Sequence, residues 1–395
     1  KEKLRFGGGP QPPRRRWVER LMTMATHEAD RMPGFRLNTR FLVTFTTLAL
    51  LVVVLLATAG GAQAAKAPKG FMGIVPQSDL QRSDTSKMFR AGIDTVRIPL
   101  AWSTIQPSSA NHFSWEFYDR ILKVTAREKV KVLPFIYSTP PWVSRKTTQI
   151  PVSSHDLTKW RKFLAALVDR YGPKGDFWKA NKDVPKMPIR TWQMWNEANF
   201  FYFVTPVDPK AYGKLVDASA AAIKHHDAGA RIMLSGLYAT PKGPPSKAVN
   251  ADTYLKRLSK YVKKSSFDTI AIHPYSASTA GTRGVMEDLR RAMIKSGYRS
   301  KAVQITEIGW GSGSGNAFLK GSESAQASQM RSALNYLVGA RHRLNLRKVY
   351  WFSWKDVRKS VPTCSFCYSV GLFEAGSGLK PKKAWSTFKS FSYRR

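Results

Sequence analysis

The strongest constraint on this chain is an alternation repeated eight times, in which a short β-rich run is followed by a segment of helical period. The runs are Phe71–Val75, Thr95–Leu100, Lys131–Ile136, Arg190–Trp195, Arg231–Ser235, Asp268–His273, Ala302–Glu307 and Lys348–Ser353. Most are near-continuous apolar stretches and not strict alternations, the pattern of parallel strands covered on both faces. Between them, Phe117–Glu128 sets Tyr118, Ile121, Leu122 and Thr125 on one stripe after a cap at Ser114, and Leu157–Tyr171 does the same with Trp160, Leu164, Leu167, Val168 and Tyr171. Further stripes run from Tyr212 to Ile223, Tyr254 to Val262, Val285 to Met293 and Ala327 to Val338. Strand then helix, eight times over, predicts an α/β fold, a single (β/α)8 TIM barrel spanning 65–395. A doubly wound sheet is the alternative. No G-x-G-x-x-G follows the first run and no Walker loop occurs, so the nucleotide chemistry of such sheets has no support.

Residues 1–64 read differently. Phe41–Ala65 carries no charge, and Leu48–Ala57 is unbroken apolar sequence, preceded by Arg36 and Arg40 and followed by Ala62-Gln63-Ala64. Basic flank, apolar stretch and small-x-small site are the order of a secretory signal, with cleavage expected after Ala64. The competing reading is a retained anchor, because Phe41–Gly61 approaches the roughly 20 residues that span a bilayer. The expectation is therefore a secreted or extracellular protein, or a membrane-anchored one with the barrel outside. Residues 1–40 read as a basic extension, either disordered or upstream of the true start; translation from Met32 would leave a short conventional flank.

Charge is the odd feature of composition, with 64 Lys+Arg against 26 Asp+Glu for a net +38. Residues 1–64 account for ten basic and four acidic side chains, which leaves 54 against 22 and a net +32 on the barrel. The basicity raises an anionic partner such as a cell-wall surface or acidic glycan. No nucleic-acid motif accompanies it, so nucleic acid is not an expected partner. Cys364 and Cys367, as C-S-F-C, read as a local disulfide in an exported chain. No second ligand pair suggests zinc, His225-His226 sits on a predicted helix with side chains pointing apart, and no H-E-x-x-H occurs, so neither metal nor cofactor is expected.

In a barrel, chemistry sits where strands end. The fourth run ends Trp195-Asn196-Glu197-Ala198-Asn199, and the seventh ends Thr306-Glu307-Ile308-Gly309-Trp310. Burying an ionised carboxylate costs several kcal/mol without partners, so two of them closing apolar strands at one face call for a function. Two facing carboxylates are what glycoside cleavage requires, one to protonate the leaving oxygen and one to attack the anomeric carbon. On that reading Glu197 is protonated near neutral pH and Glu307 ionised. Aromatic residues at strand ends and loops, namely Trp102, Trp142, Phe200–Phe203 and Trp310, are candidates to stack on sugar faces, which points to an oligo- or polysaccharide. The alternative is a non-catalytic barrel that binds wall polysaccharide and is held to anionic surfaces by its charge.

N-E after the fourth run, H-P-Y after the sixth, T-E-x-G-W at the seventh and W-F-S-W at the eighth, in this order, resemble clan A retaining glycoside hydrolases, notably the bacterial family 5 and family 39 cellulase-like or xylosidase-like proteins. The resemblance covers Phe71 to the C-terminus. It implies Glu197 as acid/base, Glu307 as nucleophile, Asn196 as the contact to the sugar 2-hydroxyl, and Arg97 as support for the nucleophile's charge. It further implies His273 and Tyr275 lining the subsite, with the tyrosine hydroxyl directed at the nucleophile, and Trp354 as the stacking platform under the sugar. Ala198 stands where the family often has proline.

Overall fold

The computed structural model describes residues 66–313, 321–361 and 365–392, the side chains of residues 365 and 366 excepted. The basic extension at 1–40 and the signal or anchor segment at 41–64 lie outside the described residues, as does Cys364. Among the described residues no helix is long and apolar enough to cross a membrane.

Eight strands form a closed parallel barrel in sequential order: β1 (Met72–Val75), β2 (Thr95–Ala101), β3 (Lys131–Tyr137), β4 (Thr191–Met194), β5 (Arg231–Tyr238), β6 (Thr269–His273), β7 (Ala302–Ile308) and β8 (Leu346–Phe352). β8 returns to β1 through the register Met72 with Val349 to Val75 with Phe352, which leaves no open edge. The helices between them are α1 (Arg82–Arg90), α2 (Trp102–Ile105), α3 (Glu116–Arg127), α4 (Ser154–Tyr171), α5 (Asp176–Ala180), α6 (Pro209–His226), α7 (Ala251–Leu258), α8 (Thr279–Lys295), α9 (Glu323–Gly339) and α10 (Lys383–Phe391). Side-chain caps fix several starts: Ser153 accepts from Asp156 N, Asp208 from Lys210 N, Ser278 from Gly281 N and Ser322 from Ala325 N. The expected cap at Ser114 does not form. Helix α3 starts from Trp115 with no side-chain cap; the Ser114 hydroxyl meets His112 Nε2 at 3.4 Å and its N–H donates to the Ile105 carbonyl.

The core has two layers. An outer layer fills the space between strands and helices, with Trp160, Leu164 and Leu167 of α4 and Tyr212, Leu215 and Val216 of α6 all fully buried. An inner cluster joins Val75, Leu133, Met233, Ala271, Tyr350 and Phe352 from five strands. Cys367, buried beside that cluster, is disulfide-bonded.

Two interruptions of period 2 matter for the site. In β5 the register shifts between Met233 and Gly236, and in β7 between Ile305 and Ile308. Leu234 and Leu237 both join the outer layer although three residues apart, and so do Ile305 and Ile308. An extra residue therefore sits in each strand, and the side chains beyond it are re-aimed. Without the bulges, alternation would send Tyr238 and Glu307 outward into the helix layer.

Candidate active site

Arg97 on β2 is wholly buried. A buried guanidinium is tolerable only if its donors are met, and here three acceptors meet them. Nε donates to Gln193 Oε1 on β4 at 2.7 Å, Nη2 to Asn196 Oδ1 at 2.7 Å, and Nη1 to Glu307 Oε1 at 2.6 Å. The Phe135 ring lies against the guanidinium carbon at 4.1 Å. Tyr275 donates its hydroxyl to the other oxygen of Glu307 at 3.1 Å. Both oxygens of Glu307 thus carry a donor.

Glu197 is supported differently. Its Oε1 lies 2.7 Å from His273 Nδ1, and His273 Nε2 lies 3.0 Å from Thr306 Oγ1. Burial, and then the Arg97 charge, hold the imidazole well below its usual range, which favours its neutral form. The backbone of this segment is held off its ordinary geometry: Trp195 and Glu197 have φ of +68° and +41°. Left-handed conformations at such residues cost about 1–3 kcal/mol and persist where surrounding contacts over-determine them. Those contacts are present. Trp195 gives its N–H to Ile136 and its indole N–H to the Phe203 carbonyl, while Asn199 donates to the Tyr238 and Val249 carbonyls and accepts from Tyr238 N.

One ligand atom each of Glu197, His273 and Glu307 lies within 4.8 Å of the others, so an oxygen of one carboxylate is within 4.8 Å of an oxygen of the other. Both are pushed above the usual carboxylate range, chiefly by burial. The environments then separate them. Arg97 and Tyr275 favour the charged form of Glu307, whereas Glu197 is driven further up by the neighbouring Glu307 charge. A single shared proton belongs on Glu197. The Glu307 oxygen that accepts from Arg97 lies 3.7 Å from His273 Nε2.

The structure brings Arg97, Asn196, Glu197, His273, Tyr275 and Glu307 together. It does not bring the three tryptophans. Trp354 is fully buried, with its indole N–H on Asp84 at 2.9 Å and its ring between Phe373 and Trp385. The stacking-platform expectation is corrected on that ground: β8 ends at Phe352, and inward alternation does not continue to residue 354. Phe352 takes the inward position, its ring 6.5 Å from Tyr275. Trp310 is 4% exposed, bonded to the Ser276 carbonyl and packed on Trp351 in the outer layer. Trp142 is half-buried, with its indole N–H on the Gln106 carbonyl and its ring edge-on to the wholly buried Trp102. These three fasten loops to the barrel.

Sequence reasoning missed Gln193, Thr306 and Tyr238. Tyr238 ends β5 beside Tyr275, with ring centroids 6.0 Å apart, and burial, followed by the two carboxylate charges, pushes its hydroxyl up to about 12. Its signal was the run Ile232–Tyr238, cut short at Gly236. That glycine is needed for close approach, since a Cβ there would stand 2.0 Å from His273 Nε2 and 2.6 Å from Thr306 Oγ1.

No family model matches the chain, and no curated protein is similar to it in sequence. Solved structures share its fold. A family 39 glycoside hydrolase from Bacteroides cellulosilyticus superposes with TM-score 0.59 at 20% identity, over 82% of this chain and 64% of its own. A β-xylosidase from Caulobacter crescentus gives TM-score 0.59 at 18% identity, over 83% and 69%. An intracellular xylanase from Thermoanaerobacterium saccharolyticum gives 0.53 at 13%, over 80% and 94%. The chain thus spans 64% of the length of the first of these. All are (β/α)8 glycosidases of the kind the strand-end motifs resemble.

Proposed function

We propose that the protein is a retaining glycoside hydrolase that cleaves β-linked oligo- or polysaccharides by double displacement. The observation that carries this reading is the carboxylate pair, one oxygen of each within 4.8 Å of one of the other, with donors on both oxygens of Glu307. Retaining pairs stand roughly 5–5.5 Å apart, whereas inverting pairs leave about 6.5–9.5 Å for a water.

In the first step a Glu307 oxygen attacks the anomeric carbon as the bond to the leaving oxygen breaks, and the proton of Glu197 passes to that oxygen. Water then attacks the same carbon, gives its proton to Glu197 and releases Glu307. Two inversions give net retention. Neutral His273 fits this best with Nδ1–H donating to Glu197 Oε1 and Nε2 accepting from Thr306. The acid proton is then left on Oε2, free for transfer. Asn196 is fixed through its carbonyl by Arg97, which leaves its amide N–H groups for a sugar hydroxyl.

Export is part of the same reading, supported by the apolar segment at 41–64 and by a disulfide at Cys367. Trapping with 2-fluoro-glycosides should label Glu307, and the released sugar should keep its anomeric configuration. A label elsewhere, or an inverted first product, would sink the mechanism.

A further inference from the structure

Resting on that reading, we infer that the rim beside Glu197 is a subsite for glycans bearing anionic groups, sugar rings lying on Phe201 and Tyr202 and the charges meeting Arg145, Lys146, Lys242 and Lys247. The aromatic run begins three residues past Glu197, in the loop that carries the acid. An acid faces the leaving group, so this rim receives the leaving-group portion of the substrate.

Aromatic surface is continuous from the cleft to this rim. Tyr238, beside the carboxylates, stacks on Phe200 with centroids 5.4 Å apart, and Phe201 stacks on Tyr202 at 4.4 Å and 25°. Tyr202 is 66% exposed, the most open of the large apolar side chains among the described residues. An open, stacked aromatic pair is a ready face for the C–H side of a sugar ring.

Two loops flank it. Residues 138–152 are tied to the run where Thr205 N donates to the Thr148 carbonyl at 3.1 Å and the Thr148 and Thr205 hydroxyls meet at 3.2 Å. Residues 239–250 are tied to it by Phe201 N on the Lys247 carbonyl at 2.9 Å and the bridge between Phe200 and Ala248. Neither loop contains an Asp or Glu. Arg145, Lys146, Lys242 and Lys247 are exposed, and none has an ion-pair partner among the described residues. Some exposed cations elsewhere on the barrel are matched, as Arg120 is with Asp79, Arg127 with Asp183 and Arg343 with Glu287, but with 64 Lys+Arg against 26 Asp+Glu many are not; what sets these four apart is their place on acid-free loops tied to an open aromatic run. The acids nearest in sequence are committed: Asp156 to Ser153 and Lys159, Asp208 to the start of α6, and Asp252 to Lys256.

A cavity of about 350 Å³ opens beside the first loop, its polar lining made by Thr139, Ser144, Arg145, Lys146, Gln149 and Asp156. Asp156 is held by Ser153 and Lys159, so the cavity's uncommitted charge is that of Arg145 and Lys146. Aromatic faces bind sugars whether or not they are charged; the four cations add selection by sign and enrich anionic polymer near the cleft.

The test compares polymers that share a backbone: hydroxyethyl cellulose with carboxymethyl cellulose and cellulose sulfate, and neutral xylan with glucuronoxylan. Dissociation constants are measured by affinity electrophoresis on full-length Glu197→Gln protein at low and high salt. The anionic member of a pair should bind about tenfold tighter at low salt and lose that advantage at high salt. The carboxylate and sulfate arms identify which group is read. Arg145→Gln, Lys146→Gln, Lys242→Gln and Lys247→Gln together should bring the ratio close to one, with an unchanged thermal melt. A ratio near one in the parent, a ratio that survives the four substitutions, or no binding to any anionic polymer overturns the inference. Hydrolysis of aryl β-glycosides by the unsubstituted protein tests the parent reading separately. Activity without charge preference sinks the rim alone, and charge preference without any activity sinks the hydrolase alone.

Discussion

Replacing Tyr275 by Phe removes one hydrogen bond from Glu307 and nothing from the ring packing against Tyr238 and Phe352. A hydrogen bond to a charged group is worth about 1.5–3 kcal/mol. O–H···O⁻ bonds of full strength are near 2.5–2.7 Å, so a bond of 3.1 Å belongs at the low end, about 1.5 kcal/mol. That is slightly more than a factor of ten in rate or protonation. The sign follows from what the bond does. Tyr275 favours the ionised carboxylate, so its loss lets Glu307 hold its proton to higher pH. In a profile of kcat/KM against pH on an aryl β-glycoside, the acid limb should therefore move upward, with about a tenfold loss at a fixed pH on that limb. The basic limb, which reports deprotonation of Glu197, should move far less. An unmoved acid limb with full activity would refute the assignment of Glu307 as the ionised partner. A shift confined to the basic limb would show Tyr275 acting on Glu197 instead.

Two further outcomes follow from packing. Gly236→Ala sets a methyl group 2.0 Å from His273 Nε2, so it should cost about 1–3 kcal/mol of stability. It should also lower kcat at least tenfold with the basic limb displaced, because His273 positions Glu197; calorimetry and a pH profile check both. Trp354→Phe removes the indole donor from buried Asp84 and should lower stability by about 1.5–3 kcal/mol. KM should stay within twofold, whereas a stacking platform under the sugar would raise it sharply.

The barrel was legible because its signal is redundant. Eight apolar runs and their helical stripes each constrain the fold, and an error of a few residues at one end changes nothing; β4 is observed as Thr191–Met194 where Arg190–Trp195 was expected. The charged centre was legible for another reason. Arg97, Glu197 and Glu307 are groups that cannot be buried singly, so their presence in apolar strands already required partners. The tryptophans carry no such requirement. An indole is equally at home under a sugar or under a loop, and only the donor's partner, Asp84 for Trp354 or the Ser276 carbonyl for Trp310, tells them apart.

What alternation hides, the bulges explain. A period-2 reading of β7 that puts Ile305 outward puts Glu307 outward too, and only the extra residue between Ile305 and Ile308 brings Thr306 and Glu307 to the same mouth. The same slip in β5 turns Tyr238 inward at the register of His273. Both bulges lie where His273 must reach Glu197 through one nitrogen and Thr306 through the other. A regular barrel could present Glu307 or its neighbour Thr306, but not both, since adjacent strand residues face opposite ways. The departure from regular pairing is thus the local condition for placing Glu197, Glu307 and His273 within one hydrogen-bonded cluster. Bulges next to active sites re-aim side chains at the expense of ladder bonds, and Gly236, the residue that makes room for His273, is the position where that arrangement has least tolerance.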